Sequence, residues 1–178
     1  MTLPAAFTDL VQAFDALPGI GPKAAARLAL ATMASDPGSQ LATALTAARA
    51  QLHLCSRCFC LAEHHLCSDC QHPETDNTLW VVADITDWAL LREQGLKPFV
   101  LHGLLSPSAG IGPGQIRLAA LHSRIRQESV EHLKLCFRQS VEAAATEHFI
   151  RTLLADSDCS VERADEPGVN TTGECGDG

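Results

Sequence analysis

Four cysteines within sixteen residues restrict the folding of this chain more than any other feature of the sequence. Cys55 and Cys58 form one Cys-x-x-Cys pair, and Cys67 and Cys70 form a second pair after an eight-residue spacer. Two such pairs provide the four soft thiolate ligands that Zn²⁺ takes in a tetrahedral structural site, where no coordination position is left for a substrate. The pattern therefore predicts one structural zinc ion per chain.

Two other interpretations of this segment stay open. A thioredoxin-like redox pair would use a single Cys-x-x-Cys motif after a buried strand, whereas this motif is doubled in a polar loop segment. Cys60, His64 and His65 lie in the same segment and are possible substitute ligands. We rank them lower, because a ligand at Cys60 would break the paired spacing and adjacent histidines in an exposed loop are usually solvated.

Length and cysteine usage indicate the class of protein. A chain of 178 residues can bury a core and hold one ordinary domain with one or two small modules. No apolar run has membrane-spanning length, and no signal peptide is recognisable. The remaining cysteines are irregularly spaced, as free thiols in a reducing compartment are: Cys60, Cys136, Cys159 and Cys175. We expect a soluble cytoplasmic protein, with a disulfide scaffold as the disfavoured alternative.

The charge distribution bears on nucleic-acid binding. The formal net charge is −8, but the residues from Ala155 onward contribute −6 of it, which leaves only −2 for the rest of the chain. Tight DNA binding normally needs basic patches that release counterions. We therefore expect any DNA affinity of one subunit to be weak, salt-sensitive and dependent on a partner or an oligomer.

Apolar spacing predicts three helices before the cysteines. The first covers residues 4–16, and the second begins at Pro22 and ends where residues 36–38 break the chain. The third covers about residues 39–52, with Ser39 as its cap.

After the cysteines the pattern alternates between strand and helix, which predicts a small, largely parallel sheet with crossover helices. The predicted strands are residues 79–82, 99–101 and 133–137, and the predicted helices lie near residues 86–94, 115–126 and 141–154. The polar, glycine-rich residues 167–178 predict a disordered tail.

The turn at residues 17–23, Leu-Pro-Gly-Ile-Gly-Pro-Lys, has the form of a helix-hairpin-helix. Gly19 and Gly21 allow a tight turn and let backbone N–H groups approach a phosphate. Lys23 and Arg27 are four residues apart, so both can reach the same nucleic-acid backbone without reading bases. An ordinary connecting turn or a dimerisation corner is the alternative, because Gly-x-Gly turns are common.

Three carboxylates follow the predicted strands. Asp84 and Asp87 come just after the first strand, and Glu142 begins the last helix, so they could share Mg²⁺ at the carboxyl ends of parallel strands. Alanines at Ala83 and at residues 143–145 weaken such a site, and solvated or partner-binding acids are favoured. The chain has no tyrosine, which excludes a tyrosyl-DNA intermediate. A second Gly-Ile-Gly-Pro lacks the lysine of a P-loop.

In this order, the helical turn, the four cysteines, Val81-Val82-Ala83-Asp84, Ser106-Pro107 with residues 110–113, and residues 140–146 resemble the RecR family of bacterial recombination mediators. The match covers about residues 3–155. It implies an α+β multi-module protein with a helix-hairpin-helix region at residues 1–53, a four-cysteine zinc finger at 54–72 and a Toprim-like α/β domain with a mostly parallel sheet at 78–165, before a disordered tail at 166–178.

The resemblance also implies a function. Family members form dimers or tetramers that encircle or clamp DNA, and they work with RecO and RecF to load RecA on single-stranded DNA. By position, Lys23, Arg27, Gly19 and Gly21 would contact DNA, and Asp84 with Glu142 would face RecO or RecF. We expect a nucleoid-associated, non-enzymatic homo-oligomer that binds single-stranded or gapped DNA of any sequence and has no membrane partner.

Two alternatives to the mediator function stay open, and the departures from the family pattern argue against the first and for the second. Ala83 replaces a usual glutamate, Ala143-Ala144 replaces a usual Gly-Glu, and the family's C-terminal section is replaced by Glu166-Pro167-Gly168 and the polar tail. One alternative is a Mg²⁺-dependent Toprim-type nuclease that uses Asp84, Asp87 and Glu142. The other is a specialised paralogue that acts only as a protein-interaction subunit.

Overall fold

The computed structural model describes residues 3–34, 36–72 and 77–165, and the chain divides into two compact units, Met1–Gln51 and Leu52–Gly178. The predicted disordered tail at 166–178 lies outside the described residues. The first unit contains helices α1 (Ala5–Asp15), α2 (Pro22–Met33) and α3 (Asp36–Gln51). No helix in the described ranges is both long and apolar enough to cross a membrane.

The helix starts follow proline chemistry. Pro4 precedes α1 and Pro22 opens α2, where the missing N–H costs nothing. The prediction that residues 36–38 break the chain is wrong, because α3 begins at Asp36 and the predicted cap Ser39 lies inside it. Proline is tolerated in a first helical turn and an acid is favoured there. Gly38 packs so closely on the carbonyl oxygen of Thr32 that no Cβ would fit.

The first unit buries little apolar surface. In its described residues only Ala25 and Ala29 are buried. Several of its large apolar side chains are exposed: Leu3, Leu17, Leu28, Leu30, Met33, Leu41 and Leu45. This unit therefore presents an apolar surface that a small helical module would ordinarily bury against another surface.

The second unit begins with an antiparallel pair, β1 (His53–Leu54) and β2 (Leu61–Ala62), and the short helix α4 (Ser68–Gln71). A four-stranded parallel sheet with the order β4-β3-β5-β6 follows. Its elements are β3 (Thr78–Val82), α5 (Ile85–Glu93), β4 (Phe99–Val100), α6 (Leu118–Glu128), β5 (His132–Cys136), α7 (Val141–Leu153) and β6 (Ser160–Arg163). The predicted α+β class and small parallel sheet are confirmed.

The two faces of the sheet bury different layers. On one face Leu79, Val81, Leu133 and Leu135 form one apolar cluster with residues of α6 and α7. On the other, a second cluster contains Val82, Val100 and Cys136 of the strands, Leu91 of α5, and buried cysteines of the segment before β3. The cysteine segment is therefore packed against the sheet within the second unit.

Candidate metal centre and nucleic-acid interface

The sulfurs of the four paired cysteines converge on one point. The Sγ atoms of Cys55, Cys58, Cys67 and Cys70 all lie within 4.8 Å of one another, and those of Cys58 and Cys67 are 3.6 Å apart. A tetrahedral ion with Zn–S bonds of about 2.3 Å places its sulfurs about 3.8 Å apart. Cys55, Cys58 and Cys70 are buried and Cys67 is half-buried. This donor set fits Zn²⁺, which would link the two Cys-x-x-Cys turns.

The backbone of the first turn is held by hydrogen bonds and by aromatic packing. The N–H of Cys55 donates to the carbonyl of Cys60 (2.8 Å), and the N–H of Phe59 donates to the carbonyl of Cys55 (2.9 Å). Phe59 has a left-handed backbone, with φ of 61°, which costs roughly 1 kcal/mol for a residue with a side chain. Its ring meets Phe99 edge-on at 5.3 Å, and the Arg117 guanidinium lies 4.9 Å from its centroid.

Without an ion, the four thiols differ in acidity. Burial alone would raise the pKa of Cys55, but backbone N–H groups, first that of Cys67, donate to its sulfur and lower the pKa to about 6. A hydrogen bond with Cys60 raises the pKa of Cys58, a hydrogen bond with Cys58 raises that of Cys70, and burial raises that of Cys67. Metal binding must therefore displace protons from thiols that hold them firmly.

Contacts from distant parts of the chain anchor the first turn. Arg57 and Arg124 both donate to the carboxylate of Glu128 on α6. The backbone N–H of Val100 donates to the carbonyl of Cys58 (2.9 Å), and a ring nitrogen of His102 bonds the carbonyl of Phe59 at 2.7 Å. The sequence carries no local signal for these anchors, because Arg57 and Glu128 are 71 residues apart.

The hairpin turn leaves the N-terminus of α2 open, since no described side chain caps it. Gly19 has φ of 82°, a conformation that favours glycine, whereas Gly21 precedes α2 with an ordinary extended backbone. A Cβ on Gly21 would have no atom within 4 Å, so the fold of the described residues does not itself require glycine there. Lys23 and Arg27 are exposed one turn apart on α2, and neither forms an ion pair with another described residue.

The three acids do not assemble as metal ligands. The Asp84 side chain caps α5 by accepting the N–H of Asp87 at 2.9 Å. Asp87 is 2% exposed and accepts two hydrogen bonds from Arg138. Glu142 lies half-buried in the first turn of α7. Across residues 3–34, 36–72 and 77–165, the four cysteines form the only group of three or more metal-ligating side chains.

The substitute ligands considered from the sequence differ in placement. His64 and His65 are exposed, and neither belongs to the cysteine group. Cys60 is fully buried, and its sulfur lies 3.3 Å from that of Cys58, although Cys60 is not a member of the convergent group of four.

Comparison with known proteins decides the family. Residues 7–49 match the family model described as RecR, helix-hairpin-helix. The chain is 41% identical over 152 residues to Recombination protein RecR of Cyanothece sp., which covers 82% of this chain and 74% of the relative. This chain belongs to the RecR family. Recombination protein RecR of Coxiella burnetii is 38% identical over 149 residues, covering 80% of this chain and 74% of that relative.

RecR of Methylococcus capsulatus is 36% identical over 151 residues, covering 82% of this chain and 76% of that relative. The segment matched by the RecR helix-hairpin-helix model includes Gly19, Gly21, Lys23 and Arg27. The predicted resemblance is confirmed, and membership of the RecR family supports a role in DNA recombination and repair.

Proposed function

We propose that this protein is a non-enzymatic mediator of DNA recombination and repair. It binds the backbone of single-stranded or gapped DNA as a homo-oligomer, and it cooperates with RecO- and RecF-type partners in loading RecA. The observation that carries the proposal is the open N-terminus of α2 beside two exposed cations, within the segment matched by the RecR helix-hairpin-helix model.

The hairpin offers a phosphate site of simple chemistry. The first backbone N–H groups of α2 have no partner inside the helix, and the helix dipole adds positive potential at this end. Gly21 adds no side chain that would keep a phosphate away. Lys23 and Arg27 would bind phosphates of the same DNA strand through their positive charges, and none of these groups reads a base. Binding of this kind is independent of DNA sequence.

Oligomerisation would strengthen this weak binding to DNA. The first unit has three acidic and three basic residues, so it has no net attraction for DNA beyond the local arrangement of Lys23 and Arg27. A second copy that covered its exposed leucines and Met33 would gain roughly 1.5–3 kcal/mol for each large side chain it buried completely. Several hairpins on one dimer or tetramer would then act together and raise retention on DNA without new contacts.

The second unit would contribute a structural zinc site and a surface for protein partners. Zinc held by the four cysteines would be structural, because four thiolates leave no coordination site for chemistry. Asp84 caps α5 and Asp87 is paired with Arg138, so both carboxylates already have partners within the protein. This supports a partner-binding role for the unit rather than Mg²⁺-dependent catalysis. Asp84 and Glu142 lie at the starts of α5 and α7, which follow the neighbouring strands β3 and β5, and we assign them to partner binding.

Fluorescence anisotropy with labelled oligo(dT), measured over a series of salt concentrations, tests the proposal. Changing Lys23 and Arg27 together to alanine should weaken binding at least tenfold and flatten its salt dependence. Arg49→Ala is the matched control, since Arg49 is an exposed cation on α3 of the same unit. Equal affinity of the double variant and the wild type would refute the hairpin site. No binding by the wild type at low salt would favour the protein-interaction subunit.

A further inference from the structure

A fifth sulfur lies beside the four that would hold zinc. The Sγ atoms of Cys58 and Cys60 are 3.3 Å apart, closer than the 3.6 Å between Cys58 and Cys67, which both belong to the convergent group. We propose that Cys60 is a reserve ligand of the metal centre, which provides the fourth thiolate when Cys58 cannot. This inference rests on the structural zinc of the proposed function.

The turn between β1 and β2 places Cys60 where a ligand would be needed. The main chain of Cys60 is bonded directly to that of Cys55, itself a member of the group, through the 2.8 Å hydrogen bond from the Cys55 N–H. The left-handed Phe59 between Cys58 and Cys60 turns the chain so that both sulfurs meet. Cys60 is 0% exposed, so its thiol is held inside the site.

The chemistry of the five sulfurs is consistent with one in reserve. With Cys58 bound as a thiolate, the Cys60 thiol can donate an S–H hydrogen bond to it, and hydrogen bonds to charged acceptors are the stronger ones. Because Cys60 lies outside the group of four convergent sulfurs, its recruitment requires its side chain to rotate toward the ion. On binding, Cys60 releases one proton to solvent, as any ligating cysteine does, and the site keeps four thiolates.

The proposal is specific for Cys58, which makes a matched control available. Serine is close to cysteine in size but is a poor ligand for zinc. In Cys58→Ser the reserve thiol should maintain close to one zinc per chain by elemental analysis, and cobalt-substituted protein should keep the intense thiolate charge-transfer band of four sulfurs. Adding Cys60→Ser should reduce metal affinity at least tenfold. Cys55→Ser should lose metal to the same extent with or without Cys60→Ser.

A second measurement avoids dependence on the folding of Cys58→Ser. Zinc-loaded wild type and Cys60→Ser, both with Cys58 intact, are challenged with a chromogenic chelator, and the rate of zinc loss is followed. Zinc loss should be severalfold slower from the wild type, where Cys60 can replace Cys58 as its bond to the ion opens, than from Cys60→Ser. Equal zinc loss in both proteins, or equal metal loss in Cys58→Ser and Cys55→Ser, overturns the reserve role. Wild type that binds no zinc at all would instead remove the proposed metal centre.

Discussion

Arg57 and Glu128 form a two-pronged ion pair, with Nε to Oε1 at 2.8 Å and Nη2 to Oε2 at 3.0 Å. Arg57 lies between the first two cysteines and Glu128 lies in the last turn of α6. This contact therefore fixes the cysteine segment to α6. Arg124, which is 5% exposed, donates to Glu128 from one turn earlier on the same helix. The three side chains together position the first Cys-x-x-Cys turn.

Replacing Glu128 by glutamine should reduce the free energy of unfolding by about 1–2 kcal/mol at neutral pH. Burial would raise the pKa of Glu128, but hydrogen bonds from Arg57 and Arg124 outweigh it and lower that pKa. Since the folded pKa is depressed, the stabilisation is present above the unfolded pKa and is lost as the pH falls through the folded value. Urea unfolding at several pH values checks this, with Glu93→Gln as an exposed control. A difference that persisted undiminished at acidic pH would contradict the ionic explanation.

Zinc should be released more readily as the pH falls. Sulfur hydrogen bonds raise the pKa values of Cys58 and Cys70, and burial raises that of Cys67, so these thiols must lose protons to bind an ion and regain them when it leaves. We expect apparent affinity to fall by about tenfold or more per pH unit between pH 8 and 6. A chromogenic chelator measures the release, and Cys159→Ser, outside the group, should behave as the wild type. Affinity that did not change with pH would argue against a thiolate site.

Two glycines of the hairpin should separate folding from DNA binding. Gly19→Ala forces a side chain into a left-handed conformation and should cost about 1 kcal/mol in stability. Gly21→Ala meets no neighbouring atom and should leave stability nearly unchanged. Its new methyl group would obstruct a phosphate at the start of α2, so oligo(dT) affinity should drop severalfold. Thermal unfolding and anisotropy on the same samples give both values, and full DNA affinity in folded Gly21→Ala would exclude close phosphate approach at this turn.

The exposed leucines of α3 should maintain the oligomer. Leu41 is 46% exposed and Leu45 is 57% exposed, and they lie one turn apart on one face of the helix. Changing both to glutamine should shift light-scattering mass toward the monomer without unfolding the protein. Val141→Gln is the control, since Val141 is 83% exposed on α7 of the second unit. An unchanged mass in the double variant would place the interface elsewhere.

Local sequence pattern predicted much of this protein because local chemistry acts over a few residues. The Cys-x-x-Cys spacing anticipated a convergent sulfur cluster, and the apolar runs at residues 79–82 and 133–137 anticipated the central strands. Proline and glycine marked the starts of α1 and α2 and the turn between them. These features depend on backbone sterics, helix periodicity and ligand spacing, and neighbouring residues are enough to specify them.

Tertiary structure decided the rest. The edge strand β6 has only Val161 as an apolar residue, and it becomes a strand because β5 offers it a partner. Asp87, predicted as a possible metal ligand, is instead buried against Arg138, which is 51 residues away. The sulfur of Cys60 lies beside that of Cys58 only because the turn between β1 and β2 folds the chain back. The partner of a charged or sulfur side chain depends on where the chain returns in space, and that information is not contained in the residues beside it.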